Sequence, residues 1–209
     1  MPDRSEFTDK QIIRELVENS LIWRDARMWD RLRTAWHPDG MMMATWFQGT
    51  IGEFIEANRA SYQRGFRTLH FLGGLSIEVN GDRAISQAQT TVTQRDLLGP
   101  VLCDVVCTTR FYDFLERREG RWGLVLRQPI YERDRLDPVD PAEHLMLDRQ
   151  LLARFPEGYR HLGYLQSRLG FKVKRDLPQL KGAEVERLYR QGRAWLDGAA
   201  SAFPEGNWS

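Results

Sequence analysis

RTLHFLGGLSIEVNGDRAISQAQTTVTQRDLLGPVLCDVVCTTRFYDFLERREGRWGLVLRQPIYER, residues 67–133, is the stretch that decides the fold. It divides into four long β-type segments, 67–79, 83–97, 101–117 and 121–133, rich in β-branched and aromatic residues. The breaks between them carry turn chemistry: Asn80-Gly81, Leu98-Gly99-Pro100 and Glu119-Gly120. Glycine at such points accepts the backbone angles that a tight hairpin requires. Four strands joined by hairpins make an antiparallel sheet.

Upstream, the hydrophobic period changes from strand to helix. Thr8 and Gln11 have capping-box spacing, and Ile13, Val17 and Leu21 recur every four residues, which predicts a helix over 9–26. A short helix, Met28 to Trp36, should stop at the turn His37-Pro38-Asp39-Gly40, because a proline disfavours helix before it. Met41 to Gln48 reads as a strand. Thr50 and Glu53 repeat the capping box ahead of Phe54, Ile55 and Tyr62, so a third helix should run to Arg64 and end at Gly65. Helices followed by hairpin-linked strands predict an α+β fold: a cone-shaped, curved antiparallel sheet wrapped around the N-terminal helices, with one open mouth.

Downstream, Asp137-Pro138 and Asp140-Pro141 punctuate a linker, and amphipathic helices are expected near 142–154, 158–169 and 182–196. Residues 1–135 are thus expected to form the α+β barrel domain and 136–209 a helical C-terminal arm, too thin to be an independent domain. The arm reads as a cover over the sheet, a subunit contact or a lid, with Trp195 and Leu196 at an intersubunit or lid contact.

Composition narrows the function classes. The 209 residues are 42% hydrophobic, enough for one good core. The 30 basic and 29 acidic side chains are interspersed and net +1, so no basic face for nucleic acid is expected. No apolar run reaches the roughly 18 residues of a membrane span, and the polar stretch Met1 to Lys10 has the wrong order for a secretory signal. Cys103 and Cys107 on one strand would lie roughly 13 Å apart, too far for a disulfide. These features together predict a cytoplasmic protein. No histidine or cysteine spacing matches zinc, no glycine-rich loop suits a nucleotide, and no Gly-x-Ser-x-Gly elbow occurs, so no cofactor and no metal are expected.

Three residues stand out chemically. Asp25 continues the row Ile13, Val17, Leu21 and so sets a carboxylate on the stripe facing the sheet, unless the helix ends there and it is solvated among Arg24 and Arg27. His70 lies mid-strand, where a histidine is either a hydrogen-bonded core residue or a base. Taken together, a carboxylate on an imidazole fixes the tautomer and raises basicity, leaving the second ring nitrogen to take a proton. Arg127, in the last strand, either lies exposed on the sheet or supplies a fixed positive charge inside the cone. Leu21, Trp23, Leu72, Phe111 and Tyr131 are the expected apolar lining of a substrate pocket. Gln87 and Gln89, with period two on the central strand, are either its polar groups or part of the solvated face.

The segments Leu21-Ile22-Trp23-Arg24-Asp25, Thr68-Leu69-His70-Phe71 and Glu116-Arg117-Arg118-Glu119-Gly120-Arg121-Trp122 carry a resemblance. Over residues 8–134 the chain resembles the SnoaL-like branch of the nuclear-transport-factor-2-like superfamily, which includes hexachlorocyclohexane dehydrochlorinase, scytalone dehydratase and bile acid 7α-dehydratase. That resemblance implies base-promoted elimination without a cofactor: His70 takes a proton from carbon, Asp25 steadies the imidazolium, and Arg127 assists the leaving group. It implies homotrimers as well. Ser20 stands where relatives carry a lysine or tyrosine, so the leaving group need not be chloride; water and formaldehyde are alternatives. The expected substrate is an apolar, aromatic or ring-bearing small molecule. A double-bond isomerase of ketosteroid-isomerase type and a non-catalytic small-molecule binder are the competing functions.

Overall fold

The computed structural model describes residues 4–200; the end of the expected arm, 201–209, and the first residues of the polar start, 1–3, lie outside the described residues. The first helix, α1 (Arg4–Asp25), begins five residues before its expected start and ends at Asp25, two residues before Arg27 takes a left-handed φ of 60°. Its apolar row is the one the sequence spacing specifies, since Ile13, Val17 and Leu21 are all buried. A short α2 (Trp29–Thr34) follows, then β1 (Trp36–Met43), β2 (Gln48–Thr50) and α3 (Ile51–Gln63). In α3 the Thr50 side chain accepts from the Glu53 N–H and the Glu53 carboxylate accepts from the Thr50 N–H, a reciprocal capping box.

Four long strands come next: β3 (Arg67–Asn80), β4 (Arg83–Leu98), β5 (Val101–Arg118) and β6 (Arg121–Pro138). The order is β2-β1-β6-β5-β4-β3, an unclosed sheet of six strands with β3 at one edge. Successive hairpins make β3 to β6 antiparallel, but β1 pairs parallel with β6, so the sheet is mixed rather than purely antiparallel. The hairpins leave β3 and β6 with free ladder edges, and β1 takes that of β6. The expected turn at His37-Pro38-Asp39-Gly40 is instead an irregularity inside β1, where pairing with β6 shifts register between Trp36 and Met41. A break in the ladder tolerates a proline without an N–H. Gly40 lets the strand come close: a Cβ there would stand 2.8 Å from the Leu124 carbonyl oxygen.

The inner face of the sheet buries Ala84, Ala88, Phe111 and Leu115 against α1, α2 and α3. The outer face buries Ile85, Tyr112, Phe114 and Leu126 under the C-terminal helix α6 (Ala183–Leu196) through Val185, Leu188, Trp195 and Leu196. Trp195 and Leu196 thus belong to an intrachain core, not to a lid or a subunit contact. Between them, α4 is only Arg149–Leu152, and a 3-10 turn, Glu157–Tyr159, leads into α5 (Arg160–Arg168). The long helix expected over 142–154 is not formed; Pro141 and the Asp148 cap confine it to its last turn. The third cluster joins Phe155, Tyr159, Leu162 and Leu165 to Val105, Cys107 and Tyr131 on the sheet. Both cysteines are free and buried. No helix among the described residues is long and apolar enough to cross a membrane.

Candidate active site

Asp25 closes α1, and its carboxylate grips the edge strand β3 at two points. Oδ2 accepts the His70 backbone N–H at 2.6 Å, and Oδ1 lies 2.7 Å from His70 Nδ1. An edge strand has no neighbour on one side, so its N–H is available to a side chain. The His70 side chain is 1% exposed and that of Asp25 16%. With Nδ1–H donated to the carboxylate, the lone pair resides on Nε2.

That second nitrogen is not empty-handed. Arg24 Nη1 lies 2.8 Å from it, and the Arg24 Nε–H donates to Asn58 Oδ1 at 3.4 Å. Asn58 is itself oriented by donating to the Phe54 carbonyl, and the Arg24 guanidinium stacks 5.0 Å over the Phe54 ring. Arg24 is only 7% exposed, and burial pulls its pKa below the ordinary arginine value against the opposing pull of Asp25. Burial first, and the Arg24 charge second, push the His70 pKa down to about 4, outweighing the Asp25 hydrogen bond. His70 is therefore a neutral imidazole near pH 7.

His70 faces a narrow hollow of about 40 Å³, partly open to solvent, walled by Trp46, Phe111 and Tyr131 and by Leu162 and Gln166 of α5. A neighbouring hollow of about 20 Å³ shares Arg24, Trp46, Thr68, Gln94 and Gln166 with it and extends to Tyr62, Phe66 and Phe171. The two hollows adjoin across these five shared residues. The arm closes one side of the pocket: the Thr45 hydroxyl donates to Gln166 Oε1 at 2.7 Å, and Gln166 Nε2 donates to Gln94 at 3.3 Å. Phe171 sits 5.4 Å from Trp46 and 5.1 Å from Phe66, ring centre to ring centre.

The residues singled out in the sequence separate into groups. Asp25 and His70 meet; Phe111 and Tyr131 line the pocket with His70. Arg127 points to the inner face but does not line the hollow. Its Nε and Nη2 both bind Asp113, at 2.8 and 2.7 Å, and Nη1 donates to Ser20 at 3.1 Å. Asp113 is its register partner on β5, so the charge is cancelled inside the core. Leu21 is buried in the inner core, and Trp23 and Leu72 pack against that cluster instead of facing the hollow. Gln87 and Gln89 lie on the outer face, because Ala84, Ala88 and Thr90 take the inward positions of β4. There Gln87 accepts from Arg110, and Gln89 lies beside Gly73.

Arg24, Thr45, Trp46, Gln94 and Gln166 were not anticipated. Arg24 had a visible signal, since it sits seven residues after Val17 and three after Leu21 on the buried stripe. Gln166 had none, because only the packing of the arm brings it here. Among the described residues no three His, Cys, Asp or Glu side chains gather as a metal-binding group.

Comparison with known proteins fits this architecture. A PEP2-like protein of Fusarium vanettenii is 32% identical over 209 aligned positions, covering 94% of this chain and 89% of the relative. Pea pathogenicity protein 2 of the same fungus is 32% identical, with 89% of this chain and 84% of the relative covered. Among solved structures, the LinA-type3 hexachlorocyclohexane dehydrochlorinase of Novosphingobium barchaimii superposes with a TM-score of 0.52 at 18% identity, over 68% of this chain and 97% of that one. Such distant identity speaks for the fold alone. The family model described as the SnoaL-like domain matches residues 5–128, more than half the chain, and the protein belongs to that family.

Proposed function

We propose that the protein is a cofactor-independent lyase that eliminates a small group from an apolar, aromatic molecule, with His70 as base. The observation that carries this is the 2.7 Å contact between Asp25 and His70 Nδ1 at the wall of a pocket lined by Trp46, Phe111 and Tyr131. In the reaction, His70 Nε2 takes a proton from carbon and the C–H electron pair becomes the new π bond. The leaving group departs with its bonding electrons, either as halide or as hydroxide that takes the proton back from the His70 imidazolium and leaves as water. Asp25 stabilises the transient imidazolium. Arg127 is already neutralised by Asp113, so the positive charge nearest the reaction is that of Arg24.

A second function, ligand binding without chemistry, is favoured by one observation: the Nε2 lone pair is engaged by Arg24. The two are separated by experiment. Aromatic candidates are screened by thermal stabilisation, where a ligand at 100 times its dissociation constant adds about 2.7 kcal/mol. The hits are then incubated in D2O with the wild-type protein and with His70→Ala. A lyase releases a fragment, whereas exchange of carbon-bound hydrogen without release marks an isomerase, and in both cases His70→Ala lowers the rate by about 100-fold or more while keeping its unfolding transition. Wild-type rates in the variant remove His70 from the chemistry, and neither release nor exchange by the wild type leaves a binding protein. The same proposal includes a homotrimer, supported by Leu69 and Phe71, which stand 64% and 74% exposed on the edge strand β3.

A further inference from the structure

We propose that Arg24 is the anchor for a carboxylate on the ligand, and that seating this carboxylate draws the guanidinium off His70 Nε2 and frees the base. The second half rests on His70 being the base; the first half does not.

The argument starts from charge. A buried guanidinium is stable when a carboxylate takes its fork, as Asp113 does for Arg127. Arg24 has five N–H donors, and its hydrogen bonds go to two neutral acceptors, Asn58 Oδ1 and His70 Nε2. Among the described residues no carboxylate forms an ion pair with it. Asp25 is the nearest acid, but both its oxygens are engaged by His70. The other groups that act electrostatically on Arg24 are Tyr62, Tyr131 and Arg127, none of them an anion near neutral pH. Arg24 lines both hollows, so the guanidinium borders the space a ligand would fill.

The approach to the pocket has the same sign. Arg27 and Arg67 stack 4.9 and 5.5 Å from the Tyr62 ring centre. Arg64 stacks on Phe66 and Phe171, at 4.8 and 5.7 Å. These three rings frame the outer hollow, so three cations ride on the aromatic residues of its rim and favour entry of anions. A planar oxyanion accepting two parallel N–H bonds suits a guanidinium better than any neutral group does. The ligand class is therefore an aryl carboxylate, its acid on Arg24 and its ring among Trp46, Phe111 and Tyr131.

The test is calorimetric titration of the full chain with benzoate, phenylacetate and cinnamate, each paired with its uncharged carboxamide. At least one acid should bind about 10-fold or more tightly than its amide, the usual scale for a charge-assisted bond. Arg24→Gln should abolish the preference, and Arg24→Lys should keep part of it. Equal affinity of acid and amide across all pairs, or binding of none, overturns the anchor. Should Arg24→Gln not fold, the wild-type protein decides alone through 15N resonances of the His70 ring. A saturating acid should raise the His70 titration midpoint, and the amide should leave it unchanged; an unmoved midpoint overturns the release of the base. Failure of the lyase reading looks different: Arg24-dependent acid binding with no hydrogen exchange leaves the anchor standing. His70-dependent turnover with no acid preference leaves the lyase standing and removes the anchor.

Discussion

His70 sits between an acid and a base of fixed identity, and its depressed pKa makes a statement about stability. The folded-state value is about 4 against an ordinary value of 6.5, so between these limits the unfolded chain binds the additional proton. Stability from this group is complete above pH 6.5 and is lost as the pH falls towards 4. The loss is on the order of 3 kcal/mol. Chemical denaturation of wild type and His70→Gln at pH 7 and pH 4 should show the wild type losing more by roughly that amount; equal losses would show that burial does not control His70. Asp25→Asn should fold, since the amide oxygen can still accept the His70 N–H, but it should turn over about 100-fold more slowly because an amide does not stabilise imidazolium. Wild-type rates in that variant would end the pairing as a mechanism. Asp25 and His70 were legible because each breaks the apolar pattern of its own element. Arg127 was legible in neither direction nor partner: the sequence left it exposed or inward, and its neutralisation depends on the β5–β6 register that sets it opposite Asp113. Arg24 was hidden by its neighbours: next to Asp25 and near Arg27, it reads as a solvated cation until the helix phase is followed through Val17 and Leu21.

At the scale of elements, glycines record how closely helices approach the sheet. A Cβ on Gly192 would collide with the Tyr112 hydroxyl, whose ring is locked edge-on between Phe114 and Tyr189, 5.5 Å from each. Alanine there gains up to about 1 kcal/mol of helix propensity but forces α6 off the outer face, at about 1–3 kcal/mol. Gly192→Ala should therefore lower the unfolding midpoint by a few degrees. Gly52 in α3 is the control, because its nearest neighbour to an added Cβ is a flexible Arg33 tip at 3.5 Å, and Gly52→Ala should raise the midpoint. Equal shifts of both in thermal denaturation would dismiss close packing as the cause. The strands and the capped helix α3 were legible because period and turn chemistry are local properties. The β1–β6 parallel pairing and the single-turn α4 were not, because one depends on which sheet edge is free and the other on Pro141 and Asp148 overriding a weak amphipathic pattern.

For the whole molecule, the question is whether the arm is ornament or structure. Phe155, Tyr159, Leu162, Leu165, Leu177, Val185, Leu188 and Trp195 are all buried. At about 1.5–3 kcal/mol for each side chain removed from water, their gross contribution is above roughly 10 kcal/mol, before the entropy of ordering the segment. That gross figure is of the order of a domain's entire net stability, 5–15 kcal/mol. Removing the arm also exposes what it covers, Phe114 and Ile85 on the outer face and Cys107 and Tyr131 beside α5. It removes Leu162 and Gln166 from the pocket wall as well. A chain ended after Pro138 should therefore be insoluble or molten, with its near-ultraviolet circular dichroism lost and aryl ligands no longer stabilising it. A folded truncated protein with an unchanged unfolding midpoint would mean that the sheet holds itself together and that the arm only rests on it. A milder cut separates cover from core: Gln166→Ala leaves the buried apolar residues in place but removes the bonds to Thr45 and Gln94. It should cost no more than about 1–3 kcal/mol of stability while speeding ligand dissociation, and unchanged dissociation rates would show that α5 does not close the pocket.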